Sequence, residues 1–449
     1  MLSLLFSLAT GCAETQAAAP APRCPNCNIV WITVDTTRAD RMGYLGNTQG
    51  LTPNIDALAR RGTAWRHTYS QGSETLGSVS SFFSGRYRNQ TGLDFFLDED
   101  TRYHAMPDEV TTFAEALKAN GWSTRAYIAN YLVTDTDNRT FNLLQGFDNT
   151  QLMEDARVTI QGTARINKLA EQTSPTFLYL HYFGPHTDNV RAEGFESRRG
   201  HFQSTIGTVT SQLYADVWGG KRTLVGDDLD YIRAMYDDAL WQADAEVGKV
   251  LAAIEASPAK DKTIVVFTAD HGETLGEPGY GNKVRLGHSQ KLCEELVHVP
   301  LIVAGPGVPK GVLDEARITE LVDLAPTLAN MVGVKVDPSW EWVGQDAFAP
   351  TTRAAAISHR GRWAEREVGA RSLTASLLHE VVTGKERAYD LKKDPHELAP
   401  IPLTAAHAAL AARIKADLAT PALDPGKPGA SSALTAEERE RLKALGYLE

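Results

Sequence analysis

Asn28-Ile-Val-Trp-Ile-Thr-Val-Asp35 and Thr263-Ile-Val-Val-Phe-Thr-Ala-Asp270 are two apolar, β-branched runs, far apart in the chain, that each end on an aspartate. The second continues directly into His271-Gly-Glu273. Continuous apolar runs bounded by polar turns predict strands buried on both faces, as in a parallel sheet. Ligands of open α/β sheets gather beyond the carboxyl ends of such strands. Asp35, Asp270 and His271 are therefore expected to converge there and to hold a divalent metal ion. A single strand-end acid is more often a turn residue or a helix cap, so the expectation rests on the pair.

Outward from these runs, strands alternate with helices. Thr52-Pro53 predicts a helix start, with Thr52 as the cap and Pro53 at the first helical position, running to Arg61. Thr111 to Asn120 predicts a second helix that stops at Gly121. Strands are expected at Thr124–Ile128, Thr176–Tyr182 and Pro300–Ala304. Between Tyr231 and Ala256 the apolar residues Ala243, Val247, Val250, Leu251 and Ile254 recur at helical spacing. The alternation predicts an α/β fold with a doubly wound, mostly parallel sheet. Residues 191–227 show no period and read as an insertion over the active face. Three parts are expected: a leader and tether over 1–27, the main domain over 28–344, and a smaller C-terminal α+β domain with a tail helix (Leu434–Leu445) over 345–449.

The chain has 449 residues, enough for one large core and an attached smaller unit. Its net charge of −11 argues against a general nucleic-acid binder, which needs a basic footprint. It says nothing against a small anionic substrate, because a metal can dominate the local field. The first twelve residues are apolar but too short to span a bilayer. They resemble the end of a bacterial lipoprotein signal, with Gly11-Cys12 as the cleavage and lipidation point. That implies a periplasmic or cell-surface lipoprotein, membrane-associated through a lipid on Cys12; the other reading is an apolar stub from a misassigned start. Cys24 and Cys27 can form a small disulfide or remain a pair of thiols, and a zinc site there lacks two further ligands. Cys293 reads as buried and inert.

Five motifs stand in register: Asp35-Thr-Thr-Arg38-Ala-Asp-Arg-Met-Gly-Tyr-Leu-Gly46, Thr52-Pro-Asn-Ile-Asp-Ala-Leu-Ala59, Ser84-Gly-Arg86, Asp270-His-Gly-Glu273 and Tyr389-Asp-Leu-Lys-Lys-Asp-Pro395. In this order and spacing the chain resembles the sulfatase family of the alkaline-phosphatase-like superfamily, metal-dependent hydrolases of phosphate and sulfate esters. The resemblance implies an alkaline-phosphatase-like fold and a small anionic ester as substrate. It also places the nucleophile ten residues before the Gly of the Ser-Gly-Arg turn, at Thr75. The family's usual Cys/Ser-x-Pro-x-Arg is absent, since Gly77 and Val79 replace the Pro and the Arg. Formylglycine is thus not expected, and Thr75 is left to act through its own hydroxyl or simply to cap a helix. A sulfated threonine has no aldehyde to collapse to, whereas a phosphorylated one can be attacked by water at phosphorus, so phosphoryl chemistry is favoured over sulfuric ester hydrolysis.

By the same resemblance the metal ligands are Asp35, Thr75, Asp270 and His271. Thr36 stands where many sulfatases carry a second Asp. Two carboxylates, an imidazole and a hydroxyl suit Mn²⁺ or Zn²⁺ better than Ca²⁺. One ion is expected; His186, His288 and Asp188 would be needed for a second. His181-Tyr-Phe-Gly-Pro-His186 matches the family's Asp-Pro-His turn, with Gly184 in place of the Asp, and puts His186 on the substrate oxyanion or leaving group. Gly287-His288-Ser-Gln-Lys291 matches a segment that supplies His288 or Lys291 to the same pocket, with His288 preferred. Arg38, Glu273 and Arg86 are expected to brace the metal loops. The reading from another class is a non-catalytic envelope lipoprotein that keeps the fold for binding; the clustered charge of Asp35, Asp270 and His271 argues against it.

Overall fold

The computed structural model describes residues 23–93, 104–134, 141–187, 200–278, 284–289, 291–351, 353–361, 366–421 and 423. Cys12 with the leader, Asp188 and the tail helix Leu434–Leu445 lie outside these residues. In chain order the first ten strands are β1 (Asn28–Val34), β2 (Gly62–Tyr69), β3 (Ser123–Ile128), β4 (Asn149–Leu152), β5 (Thr176–Tyr182), β6 (Thr263–Thr268), β7 (Thr274–Pro278), β8 (Val284–Gly287), β9 (Leu301–Ala304) and β10 (Val312–Glu320). Eight of them form one sheet in the order β10-β2-β9-β6-β1-β5-β3-β4, while β7 and β8 pair as a separate ribbon. The sheet is mixed: β9 runs antiparallel to both β2 and β6, and the other pairs are parallel.

The helices of this part are α1 (Pro53–Arg60), α2 (Thr75–Ser84), α3 (Phe113–Ala119), α4 (Asp155–Ile166), α5 (Ser211–Trp218), α6 (Asp228–Ala256), α7 (Glu294–Val297) and α8 (Leu324–Val332). Side chains of β1 alternate between two cores, as the two-residue strand period requires. Ile29 and Trp31 join Phe82, Phe113 and Leu328 from α2, α3 and α8 on one face. Val30, Ile32 and Val34 join Ile55, Val158 and Val247 from α1, α4 and α6 on the other. Both faces of the sheet are therefore covered, which is why its central strands read as unbroken apolar runs. Helix α5 falls inside the stretch where the sequence showed no period, because Leu213 and Tyr214 are its only large buried residues and one turn of burial leaves little pattern.

One helix start departs from the local capping rule and a second follows it. Thr52 precedes α1 but makes no side-chain cap; its hydroxyl accepts from Gly43 N and donates to Asp56. The amides of Asn54 and Ile55 are instead satisfied by the Asp244 carboxylate, reaching from α6 at 3.2 and 2.9 Å. Helix α3 obeys the local rule, with Thr112 and Glu115 forming a reciprocal capping box.

A second sheet, β11 (Ala356–Arg360), β12 (Glu367–Arg371), β13 (Ala375–Glu380) and β14 (Glu386–Asp390), is an antiparallel meander. Helix α9 (Ala405–Ala419) covers one of its faces through Leu410 and Ile414. The meander joins the main sheet where β11 meets the segment leading into α2: His359 N donates to Gln71 O and Ser358 Oγ to Ser70 O. Cys24 and Cys27 are disulfide-bonded at the start of β1, and Cys293 is buried. No helix among the described residues is long and apolar enough to cross a membrane.

Candidate active site

Strands β6, β1, β5 and β3 are consecutive in the sheet and mutually parallel, so their carboxyl ends open onto one edge. Asp35 leaves β1, Asp270 follows β6, His181 closes β5 and Asn130 follows β3. All four are buried. Just past Asp35 the chain turns through Thr36 at φ +52°, a left-handed conformation that a β-branched residue rarely adopts. It is held from both sides: Thr36 N donates to Asp270 Oδ1 at 3.3 Å, and Tyr236 Oη donates to Thr36 O at 2.7 Å. Strain of this kind persists only where the surroundings over-determine it. On the second loop Gly272 is required by space, since a Cβ there would lie 1.9 Å from Glu295 O.

Helix α2 brings the hydroxyl. Glu74 is its N-cap, accepting from Gly77 N at 2.7 Å, and Thr75 is its first helical residue. Thr75 is thus not the cap, and its Oγ1 is available to lie 3.3 Å from His271 Nε2 and 3.4 Å from Asn130 Nδ2. The helix is entirely buried although six of its ten residues are Ser, Thr or Gly. Ser81 and Ser84 make this possible by donating back to the carbonyls of Gly77 and Ser80, which leaves the hydroxyls paired. Ser78 donates to Asp270 O and ties the helix to the second loop.

His271 Nδ1 lies 2.8 Å from Gly272 O, an acceptor only, so Nδ1 donates there and Nε2 faces the cluster. Nε2 sits 3.7 Å from Asp35 Oδ1 and 3.5 Å from Asp270 Oδ2. Both carboxylate oxygens are buried and make no hydrogen bond among the described residues. Burial raises the Asp270 carboxyl, and the charge of Asp35 raises it further. Two carboxylate oxygens and an imidazole nitrogen facing one another out of water are costly to bury unless a cation joins them. The residues fit a divalent ion held by Asp35, Asp270, His271 and the Thr75 hydroxyl.

Two residues of this cluster were not anticipated. His181 offers a ring nitrogen that, with one oxygen each of Asp35 and Asp270, lies in a group spanning no more than 4.8 Å. Its Nε2 is 3.4 Å from Asp35 Oδ2 and its Nδ1 is 2.9 Å from the Tyr179 hydroxyl. Asn130 Nδ2 donates to Asp35 Oδ2 at 2.6 Å. A signal existed for His181: an imidazole at the end of an otherwise apolar strand next to the Asp35 strand. None existed for Asn130, one polar residue in a loop.

The remaining candidates sort by their partners. His288 Nδ1 lies 3.1 Å from Glu273 Oε1, and Thr187 donates to the other oxygen of the same carboxylate at 3.2 Å. Burial by itself would lower the His288 imidazole, but Glu273 lifts it to about 9. His186 is pushed down to about 3 by burial, stacked on Phe183 at 4.2 Å. The His288 ring centroid is 4.6 Å from that of His271 and 5.0 Å from that of His186, so the three imidazoles form one cluster above Thr75. Lys291 lines a basic cavity with Arg285, Arg360 and Arg387, whose lining includes none of the three imidazoles. Arg38 braces as expected, donating to Glu273 O and pairing with Asp40 and Glu277. Arg86 binds Trp340 O and Glu341, which puts it on the turn after α2, away from the metal loops.

A family model described as Sulfatase matches residues 27–334, about two thirds of the chain. The chain is 25% identical over 347 residues to an ulvan-active sulfatase of Formosa agariphila, covering 71% of this chain and 64% of that protein. It thus spans less than two thirds of that relative's length. It is 24% identical to mouse (Mus musculus) arylsulfatase K, covering 89% of this chain and 81% of the other. Among solved structures, the phosphonate monoester hydrolase of Agrobacterium radiobacter superposes with a TM-score of 0.65 at 19% identity, covering 87% of this chain and 94% of that one.

Proposed function

The chain belongs to the sulfatase family, and we propose that it is a divalent-metal-dependent ester hydrolase that uses Thr75 Oγ1 as its nucleophile and prefers phosphate to sulfate esters. The observation that carries this reading is the position of Thr75 Oγ1, at the N-terminus of a buried helix and 3.3 Å from His271 Nε2. When bound, the ion supplies positive charge that favours the ionised hydroxyl and neutralises the ester's oxygens. The helix N-terminus adds a partial positive charge and amide donors on the same side.

In this reading the ionised Oγ1 of Thr75 attacks phosphorus, the bond from phosphorus to the ester oxygen breaks, and His288 gives its proton to the departing oxygen. Glu273 holds the His288 ring and keeps it charged for that step. Neutral His186 accepts or donates a hydrogen bond at the same oxygens. Water then attacks the phosphothreonine at phosphorus while the now neutral His288 takes its proton, so that the Thr75 oxygen leaves ionised, phosphate is released and His288 is charged again. The preference for phosphorus follows from Gly77 and Val79, which leave no motif for a formylglycine, and from the lack of an exit for a sulfated threonine. The names of the relatives favour the second reading, a sulfuric ester hydrolase.

Thr75→Ala tests the nucleophile. Turnover of aryl phosphate should fall by several orders of magnitude, Thr75→Ser should keep part of it, and acid-quenched wild type should carry phosphate on the Thr75 peptide by mass spectrometry. Wild-type rates in Thr75→Ala would remove Thr75 from the mechanism. Faster turnover of aryl sulfate than of aryl phosphate would establish the second reading.

A further inference from the structure

Glu74 is an unusual cap for a helix whose start receives an anionic ester. Short Ser, Thr, Asp and Asn side chains are the preferred caps, and Ser73 and Thr75 stand on either side of it. Glu74 nevertheless folds its longer side chain back, and its Oε2 accepts from Gly77 N at 2.7 Å. The carboxylate thus lies against the first turn of α2, one residue before Thr75, with only 4% of its side chain exposed. Negative charge in that place suits the helix dipole. It opposes any anionic group that approaches the same first-turn amides.

The charge is cancelled by a residue beyond the other end of α2. Arg88, just past the Ser84-Gly85-Arg86 turn, pairs through Nη2 with Glu74 Oε1 at 2.9 Å, and 7% of its side chain is exposed. Its Nη1 donates to Gly361 O at 3.3 Å, on the residue after β11, so the guanidinium is held from the meander as well. The stem of Arg88 crosses the first turn of α2 at Gly77. A Cβ there would lie 2.6 Å from Glu74 Oε1, 2.7 Å from Arg88 Nε and 2.8 Å from Arg88 Cδ. Glycine at 77, where the family's usual motif has Pro, is what leaves room for the pair. A buried ion pair is weak support for a fold, because two charges must leave water to form it. A Ser or Thr cap would hold α2 without that cost.

We infer that Arg88 is a positioning residue for the reaction at Thr75: it neutralises Glu74, so that the first turn of α2 keeps its cap and still admits an anionic ester. The inference rests on the reading of Thr75 as the reacting site. Without Arg88, a buried carboxylate is left beside the incoming anion. Without the charge of Glu74, the guanidinium adds its own attraction. The two substitutions therefore move anion affinity in opposite directions, whereas a purely structural pair would lose affinity with either.

The test is calorimetric titration of the Mn²⁺-loaded full chain with inorganic phosphate, which needs no turnover. Arg88→Met should weaken phosphate binding about tenfold, which corresponds to about 1.4 kcal/mol. Glu74→Gln keeps the length of the side chain and an acceptor for Gly77 N, so it is expected to fold. It should bind phosphate about threefold tighter than wild type, and the double variant should return close to wild type. Arg88→Lys, which keeps the charge, should lose less than Arg88→Met, and KM for aryl phosphate should follow the same order. Glu74→Gln no tighter than wild type, or a double variant no tighter than Arg88→Met, would overturn the inference, as would a wild type that binds no phosphate. Arg88→Met buries an unpaired carboxylate; where it does not fold, Glu74→Gln decides alone, tighter binding supporting the inference and equal or weaker binding overturning it. Wild-type turnover in Thr75→Ala would instead sink the Thr75 reading, while the titrations still report on Glu74 and Arg88.

Discussion

Asn130 holds the site together at the scale of one side chain, although nothing around it in the sequence marks it. Its amide donates to Asp35 Oδ2 at 2.6 Å and lies 3.4 Å from Thr75 Oγ1, so it fixes the carboxylate and the hydroxyl relative to each other. Groups that orient metal ligands in this way typically account for about 10–100-fold in affinity. Asn130→Ala is therefore expected to weaken Mn²⁺ or Zn²⁺ binding by roughly that factor, measured by metal titration, with circular dichroism to confirm the fold. Unaltered affinity would show that Asp35 is held without it. Thr36 shows the opposite case, a residue whose neighbours constrain it: an Asp or Asn tolerates positive φ better, yet two hydrogen bonds keep a threonine there.

At the scale of elements, the capping of α1 and the docking of α9 each rest on an acid that pairs with a distant part of the chain. Asp244 caps α1 from the middle of α6, which also fixes how the two helices pack. On α9, Asp417 meets His359 of β11 at 2.8 Å, and both side chains are buried. Burial would raise the Asp417 carboxyl, but His359 and the nearby arginines bring it below its ordinary value. A lowered carboxyl stabilises the fold fully above its unfolded value, near about 3.9, and this contribution is lost as pH falls through the folded value. Asp417→Asn should therefore destabilise the protein at pH 7 by about 2 kcal/mol. In denaturant titrations, the gap to wild type should close as the pH drops below about 4. A gap independent of pH would show that the carboxylate's charge plays no part.

Across the whole molecule, charge is kept apart from what it would need. Asp35 and Asp270 face each other at the carboxyl end of the sheet, each with a bare buried oxygen, so the metal-free protein stores repulsion at its active edge. Asp270→Asn should relieve this, and metal-free Asp270→Asn is expected to unfold at a higher temperature than metal-free wild type. Mn²⁺ or Zn²⁺ should raise the unfolding temperature of wild type, by about 2.7 kcal/mol of stability at roughly a hundred times Kd, and leave the variant unmoved. A metal-dependent rise of equal size in both proteins would place the ion elsewhere.

The strands that end on Asp35 and Asp270 could be read from the chain because full burial on both sides leaves unbroken apolar runs, a local pattern with a single structural cause. Thr75 was reached only through the family resemblance, by counting back ten residues from Gly85; in the structure one helix, Thr75–Ser84, fills that interval. Helix α3 was legible because its start and stop are written in adjacent residues. By contrast, the cap of α1 depends on Asp244, 190 residues from Asn54, and local sequence pointed to Thr52 instead. The reversed direction of β9 depends on which neighbours remain for it, as an apolar run is identical in either direction. Asn130, the His181 ring beside Asp35, the pairing of Glu273 with His288 and the basic cavity all join groups from separate strands and loops. Periodicity and spacing record how a segment meets its surroundings; which segments supply those surroundings is decided only when the sheet has ordered its strands.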